Sequence, residues 1–550
     1  MKKYFVACMI LILTLVFVTG CGSSNTNTSS NSETVATGES IIRMSVSGTP
    51  SVDPAVGISF SSVQTLVNLY DTLVFPNTSG GVNPWLAEKW EVSDNGMEYT
   101  FHLKKGIIFH DGEELKASDV KFSMTRLLAM GEGFSYLYSD VVDKVEAIDD
   151  NTVVFKLKKP YGAFISSLCR FYVLSEKQVI ANKKAGVYGE LGDYGRDWLQ
   201  THDAGSGPYT LTEFVQQDHV SAKKFDKFWG GWEENAPEVI KLIDNTQAST
   251  IRTLLSNKEL EITDMWQSTE NLKAMANIPG VKIAQYGIGS VQYMMYNNKK
   301  APTDDVNFRK ALSSLFDYDM ISKNILTGSP IATSPVNSAL KGAKAPIAQY
   351  HYDIDTAKKY LSASKYANQL DKYPVEILVN TDVADHEKIA LAFQAAAAEV
   401  GLTVRITKAP WISIIDKVST VESTPNIVCI NTGVNFWEAG ATLESRFSSK
   451  TVGTWEQAEW LQDPTIDAAI KDALLTPNET ERFRKYGTII DKIGEICPCA
   501  WLVDLNDKVA YQSEYVYWPT AESFQKGKVE SNLMGYAYYF HDFKVYPDKK

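Results

Sequence analysis

Histidine is scarce in this chain, seven in 550 residues, and no two of them have the spacing of a metal-ligating pair. His-Glu-x-x-His, Gly-x-Ser-x-Gly and a phosphate loop ending in Lys-Ser/Thr are all missing. Their absence removes the sequence marks of zinc hydrolysis, serine hydrolysis and nucleotide hydrolysis. Gly205-Ser206-Gly207-Pro208 is glycine-rich, but a strand pattern follows it rather than a lysine and a helix. His110-Asp111 has ligand chemistry and sits in a turn. The acidic pairs Asp304-Asp305, Asp149-Asp150 and Glu113-Glu114 read as a helix start and solvated turns, not as the opposed carboxylates a glycosidase needs. Positive charge is not in excess: the formal net charge is −12, both signs are interspersed, and no basic patch offers a footing for nucleic acid. No repeat of fixed period is present, which argues against a solenoid or propeller. Beyond the first twenty residues, no apolar run is long enough to span a bilayer. These absences turn the reading away from catalysis, so no enzyme, metal, cofactor or nucleic-acid partner is expected.

What is present starts with a leader. Lys2 and Lys3 precede an apolar run over residues 5–18. As a helix this run is about 21 Å long, short of the ~30 Å hydrocarbon core, so residues 1–20 read as a cleaved signal peptide. Val18-Thr19-Gly20-Cys21 reads as a lipobox, with Cys21 the acylated first residue of the mature chain. Residues 21–40 then form a Gly/Ser/Thr/Asn tether, too poor in apolar surface to order itself, that holds a body off a membrane. Of the six cysteines, Cys8 leaves with the leader. Cys169, Cys429, Cys497 and Cys499 remain, either as buried thiols or with Cys429 bridged to Cys497 or Cys499 in an oxidising compartment. The body from residue 41 onward is ordinary in composition, 44% hydrophobic and 22% charged, and too long for one core, so it divides into two or more domains.

The densest pattern lies at residues 86–128, LAEKWEVSDNGMEYTFHLKKGIIFHDGEELKASDVKFSMTRLL. Asp94-Asn95-Gly96 makes a turn. Tyr99, Phe101 and Leu103 alternate with polar residues along a strand with one buried face. His110-Asp111-Gly112 turns again, and Ser118 is placed to cap a helix whose stripe is Val120, Met124, Leu127 and Leu128. The run W-x-x-S-D-x-G-x-x-Y-T-F-x-L-K-x-G-I-x-F-H-D-G, followed by A-S-D-V-K-F-S-x-x-R, resembles the signature of the large extracytoplasmic solute-binding proteins that serve ABC importers of the peptide/nickel/opine type. A second block runs from GSGPY at residue 205 through FDKFWGG to Glu259-Leu260-Glu261-Ile262. A third, at residues 293–335, begins YMMYNNKKAPTDD, with Asp304 or Asp305 opening a helix. Together they extend the likeness over most of the mature chain.

The resemblance implies an α/β, bilobal, Venus-flytrap binding protein of type II with an extra inserted domain. Residues 41–81, 205–285 and 508–550 would form lobe I, residues 82–204 the insertion, and residues 286–507 lobe II. The sequence adds independent support in lobe II. A strand at residues 375–379, an alanine-rich helix at 386–400 stopped by Gly401 and a strand at 402–407 make a parallel crossover. Ligands sit at the strand ends of such sheets.

By the resemblance, Ile58, Phe60, Tyr136, Trp266, Ser290, Tyr293, Trp411, Asn435 and Trp437 are the ligand-binding candidates. In peptide-binding members an aspartate near residue 435 pairs with the peptide ammonium. Asn435 can hydrogen-bond an ammonium but cannot neutralise it, and Glu438 is the alternative source of charge. The expected function is capture of a solute, first an oligopeptide, between two lobes and delivery to an ABC permease with its ATPase subunits, by a monomer tethered outside the cytoplasm through Cys21. The same role for an oligosaccharide or other neutral solute, and a ligand sensor without transport, are the competing readings.

Overall fold

The computed structural model describes residues 40–550; Cys21, the leader and the tether of the sequence reading lie outside them. A first sheet of four strands is laid out in the order Ile41–Val46, Val239–Asp244, His219–Lys224, Tyr209–Val215. The first pair is parallel and the rest antiparallel. A second sheet of five strands runs Val404–Ala409, Val375–Asn380, Ile427–Thr432, Val281–Tyr296, Cys499–Gln512. Its first three strands are parallel, and the helix Ala384–Glu399 makes the crossover that the alanine-rich pattern predicts.

The last two strands of that sheet are long and pair antiparallel from Val281↔Gln512 to Met295↔Cys499. Their far ends reach the first sheet: Ile262 bridges both Met44 and Tyr511. The two sheets are therefore joined by a two-stranded ribbon. From Ala284 to Tyr296 the ribbon is buried on both faces, which explains why its sequence shows no alternation.

A third sheet, antiparallel, holds Ala87–Val92, Glu98–Leu103, Thr152–Leu157 and Val142–Asp149 in that order. Tyr99, Phe101 and Leu103 face inward on it, as their spacing predicts. The helix against it is Ala117–Met130. Its start differs from expectation: Ser118 is exposed and caps nothing, whereas the Asp119 carboxylate accepts from the Lys116 backbone N–H at 2.9 Å. Asp119 wins because an ionised acceptor near a helix N-terminus also meets the dipole. The helix stops at Gly131, in the left-handed conformation.

Two contacts fix this third region against the turn at Asp53–Gly57 and so position the site. Arg126, buried mid-helix, donates to both oxygens of buried Asp53 at 2.7 and 2.6 Å. Asp53 in turn accepts from the Ala55 N–H at 2.9 Å and its carbonyl accepts from Val56 and Gly57, which shapes the turn leading to Ile58 and Phe60. Gly133, at φ +57°, then passes over this turn so closely that a Cβ would stand 2.6 Å from the Ala55 carbonyl oxygen. Only glycine allows that approach. Phe134 and Tyr136 are thereby set beside Ile58 and Phe60.

Cys169, Cys429, Cys497 and Cys499 are all buried free thiols, so the disulfide alternative is set aside. Cys429 contacts Gln292 Nε2 and Cys497 contacts the Ser313 hydroxyl. No described helix is long and apolar enough to cross a membrane.

Candidate functional site

A cavity of about 390 Å³ lies where the strand ends of the second sheet face Ser47, the segment Ile58–Phe60 and the third sheet's region. The sequence dictates its aromatic walls locally. Ser59 caps the helix Phe60–Leu69 by accepting from the Ser62 N–H at 3.2 Å, which sets Phe60 at the helix start, facing the cavity. Trp266 stands edge-on to Phe60, ring centroids 5.6 Å apart. It is held by its backbone N–H, which donates to Asp264 at 2.9 Å. Asp264 also accepts from Ser45 and Gln267, all neutral partners, and burial pushes its carboxyl up to about 6.

The opposite wall comes from the carboxyl ends of parallel strands. Asn380 ends the first in chain order and Asp382 follows it, Trp411 follows the second, and Gly433 and Asn435 the third. Trp411 opens the helix Trp411–Lys417 after Pro410, and meets Trp455 edge-on at 5.4 Å. The Asn435 amide donates to the Tyr136 hydroxyl, a bond that crosses the cavity mouth from one wall to the other. His386 is buried, which lowers its imidazole to about 4, and its Nε2 lies 3.2 Å from Gln292 Oε1. A smaller cavity of about 60 Å³ adjoins this one through Trp266, Val383, His386 and Asn431.

Of the residues singled out from sequence, Ile58, Phe60, Tyr136, Trp266, Trp411 and Asn435 line the cavity together. Ser290, Tyr293 and Trp437 do not. Ser290 is fully buried, and its carbonyl accepts from Asn337 at 2.7 Å. Tyr293 is buried under the Arg446 guanidinium, 4.2 Å from its ring, and its hydroxyl donates to the Pro335 carbonyl. Trp437 is 7% exposed. Its ring occupies the slot left by Gly80 and Gly289, where an added Cβ would stand 2.2 and 3.4 Å from it. Glu438 is also spoken for: buried, it accepts from Arg482 at 2.9 and 3.0 Å and from Tyr486. His110, the ligand-like residue of the turn, is taken by Asp203 and the Gly207 carbonyl.

Sequence reasoning missed Glu456, Trp455, Asp382, His386 and Phe134, which line the same cavity. Asp382 and His386 had a signal, since they follow the first strand of the crossover. Trp455 and Glu456 sit in a loop with no periodicity.

The cavity thus joins aromatic surface from both sides with a few amides and carboxylates, and it contains no nucleophile activated by a base. Its chemistry is that of recognition. Residues 81–454 match the model for bacterial extracellular solute-binding proteins, family 5, middle part. The chain belongs to that family. A probable D,D-dipeptide-binding periplasmic protein of Escherichia coli is 26% identical over 482 residues, 86% of this chain and 90% of that one. A dipeptide-binding protein of the same organism is 29% identical over 373 residues, 63% of this chain and 67% of that one. In structure, a Helicobacter pylori periplasmic binding protein in complex with the peptide STSA superposes with a TM-score of 0.76 at 20% identity, covering 93% of this chain and 98% of that one. A Campylobacter jejuni protein in complex with Ni(L-His) gives 0.78 at 19% identity, with 92% and 99% covered. The solute-binding protein therefore has the bilobal α/β fold of its family, is a substrate-binding component of ABC import that acts outside the cytoplasm, and is not an enzyme.

Proposed function

We propose that this solute-binding protein captures a short oligopeptide in the cavity between its lobes and hands it to an ABC permease and its ATPase subunits. It works as a monomer tethered to the membrane by acylated Cys21. In this reading residues 41–81, 205–285 and 508–550 make lobe I, residues 82–204 the insertion and residues 286–507 lobe II. The observation that carries it is the cavity itself: aromatic walls from both sides of one space, bridged by the Tyr136–Asn435 bond. Contacts that exist only when both walls touch the ligand raise the closed population on binding. The volume sits near the lower end of the ~300–1,000 Å³ of small-molecule sites, which favours ligands of a few residues. Relatives named for dipeptide binding agree in scale. The same capture of a neutral solute is the second reading, favoured by the uncharged Asn435 and its existing partner. Small-angle scattering tests both: di- to tetrapeptides are expected to reduce the radius of gyration, a shift with neutral oligosaccharides alone selects the second reading, and superimposable profiles throughout sink capture by closure.

A further inference from the structure

The capture reading leaves open what the ligand must carry, and the charges around the cavity bear on that. Its wall holds the carboxylates of Asp382 and Glu456 and no lysine or arginine. His386, the one imidazole of the wall, is neutral because burial keeps it near 4, and burial likewise raises the Tyr136 hydroxyl and the Cys429 thiol. The cations close by are committed or walled off. Arg446 pairs with buried Glu459 and lies over Tyr293. Arg170 sits behind Phe134, its guanidinium 5.4 Å from that ring; its Nη2 donates to the Val434 carbonyl at 3.4 Å, while its Nε and Nη1 are buried without a hydrogen-bond partner among the described residues. Lys508 opens on the smaller adjoining cavity, where its Nζ donates to the Thr327 hydroxyl and Asp385 is paired with Lys388.

Glu456 differs from all of these. Its backbone carbonyl accepts from Arg446, which fixes the loop, yet no donor among the described residues reaches its carboxylate. The side chain is half-buried beside Trp455, which is edge-on to Trp411. A half-buried carboxylate beside aromatic rings, without a counter-ion, is costly when ionised, and an incoming cation reduces that cost while gaining the ring faces.

We propose that Glu456, with the Trp411–Trp455 pair, is the cation-recognising subsite of the cavity: it takes the ammonium or guanidinium of a ligand whose remaining cavity-bound part is apolar or neutral and carries no carboxylate. This rests on the cavity being the ligand site and adds the charge class of the ligand. Arg446 draws the Glu456 carboxyl down, the Tyr136 hydroxyl feels its charge, and Asp382 and neutral His386 share the cavity wall. Burial outweighs Arg446 and pushes the Glu456 carboxyl up to about 7. A cation binds the ionised form, so affinity for it rises about tenfold per pH unit below that value and levels off above it.

Titration calorimetry on the mature full-length chain at pH 8 tests this with four probes: Leu-Leu amide, N-acetyl-Leu-Leu, N-acetyl-Leu-Leu amide and Leu-Leu. Leu-Leu amide is expected to bind at least tenfold more tightly than N-acetyl-Leu-Leu amide, with N-acetyl-Leu-Leu weakest. Glu456→Gln is expected to bring the amine probe down to the level of the neutral one, with an unchanged melting temperature showing the fold intact; Asp382→Asn has a smaller effect. Equal or tighter binding of N-acetyl-Leu-Leu overturns the proposal and points to Arg170 or Lys508. Charge preference that survives Glu456→Gln also overturns it. Binding of all four probes without preference sinks this inference alone, whereas binding of none sinks the peptide reading with it.

Discussion

Asp53 stands behind an aromatic stretch of the cavity wall, in the segment leading to Phe60, and Glu456 stands in that wall, beside Trp455. Asp53 is buried and gripped through both oxygens by Arg126. Glu456 is half-buried, and no donor among the described residues reaches its carboxylate. The first carboxylate is satisfied within the chain and can only hold architecture. The second is left to whatever enters. The same division runs through the molecule: Glu438 with Arg482 and Glu459 with Arg446 are internal pairs, and none of the four fixes a charge on the cavity wall.

The sharpest way to break that comparison is to remove the satisfied acid. Asp53→Leu leaves a buried guanidinium without its counter-ion, and such losses cost about 4 kcal/mol. Urea unfolding is expected to show that drop, while Glu456→Leu is neutral or stabilising because it removes an unpaired charge. A loss below ~1 kcal/mol for Asp53→Leu would mean that Arg126 finds another partner, and that the seat under Ile58 and Phe60 does not depend on the pair.

A pair of tryptophans draws the same line between architecture and recognition, and shows where sequence reading stops. Trp411 and Trp437 both follow strands of the second sheet, and the resemblance placed both at the ligand. The crossover pattern and the strand-end rule are local, so the sheet, its helix and the position of Trp411 were legible. What buries Trp437 is not local: its slot is made by Gly80 and Gly289, remote from it in sequence, whose missing side chains leave room for an indole. No periodicity around residue 437 announces that. Glu456 escaped for the related reason that loop residues acquire their surroundings only from the fold. Trp437→Ala is expected to lower stability by about 3 kcal/mol, as a cavity left in a packed core does. Trp411→Ala, at a residue 36% exposed, is expected to leave the unfolding midpoint nearly unchanged and to weaken binding of a peptide probe about tenfold. Equal melting temperatures for the two variants would put Trp437 on a mobile surface rather than in the core.

The finest distinction concerns acids that are buried but bonded only to neutral groups. Asp264 supports Trp266 through the backbone and takes Ser45 and Gln267 as further donors. Asp504, on the ribbon, accepts from the Ser338 hydroxyl and N–H. Burial raises both carboxyls to about 6, from 3.8 in the unfolded chain. Between those values the native state holds more protons than the unfolded one, so the contribution of these two groups to stability falls as pH rises from about 4 to about 6 and stays flat above. Each group supplies a slope of roughly 1 kcal/mol per pH unit at most. An Asp264→Asn variant keeps a polar group under Trp266 but cannot titrate. The slope of its unfolding free energy against pH is expected to be more positive over that window than the parent's by up to roughly 1 kcal/mol per pH unit. An unaltered slope would mean that water reaches Asp264 and solvates its charge, so that burial does not govern the acid beneath Trp266.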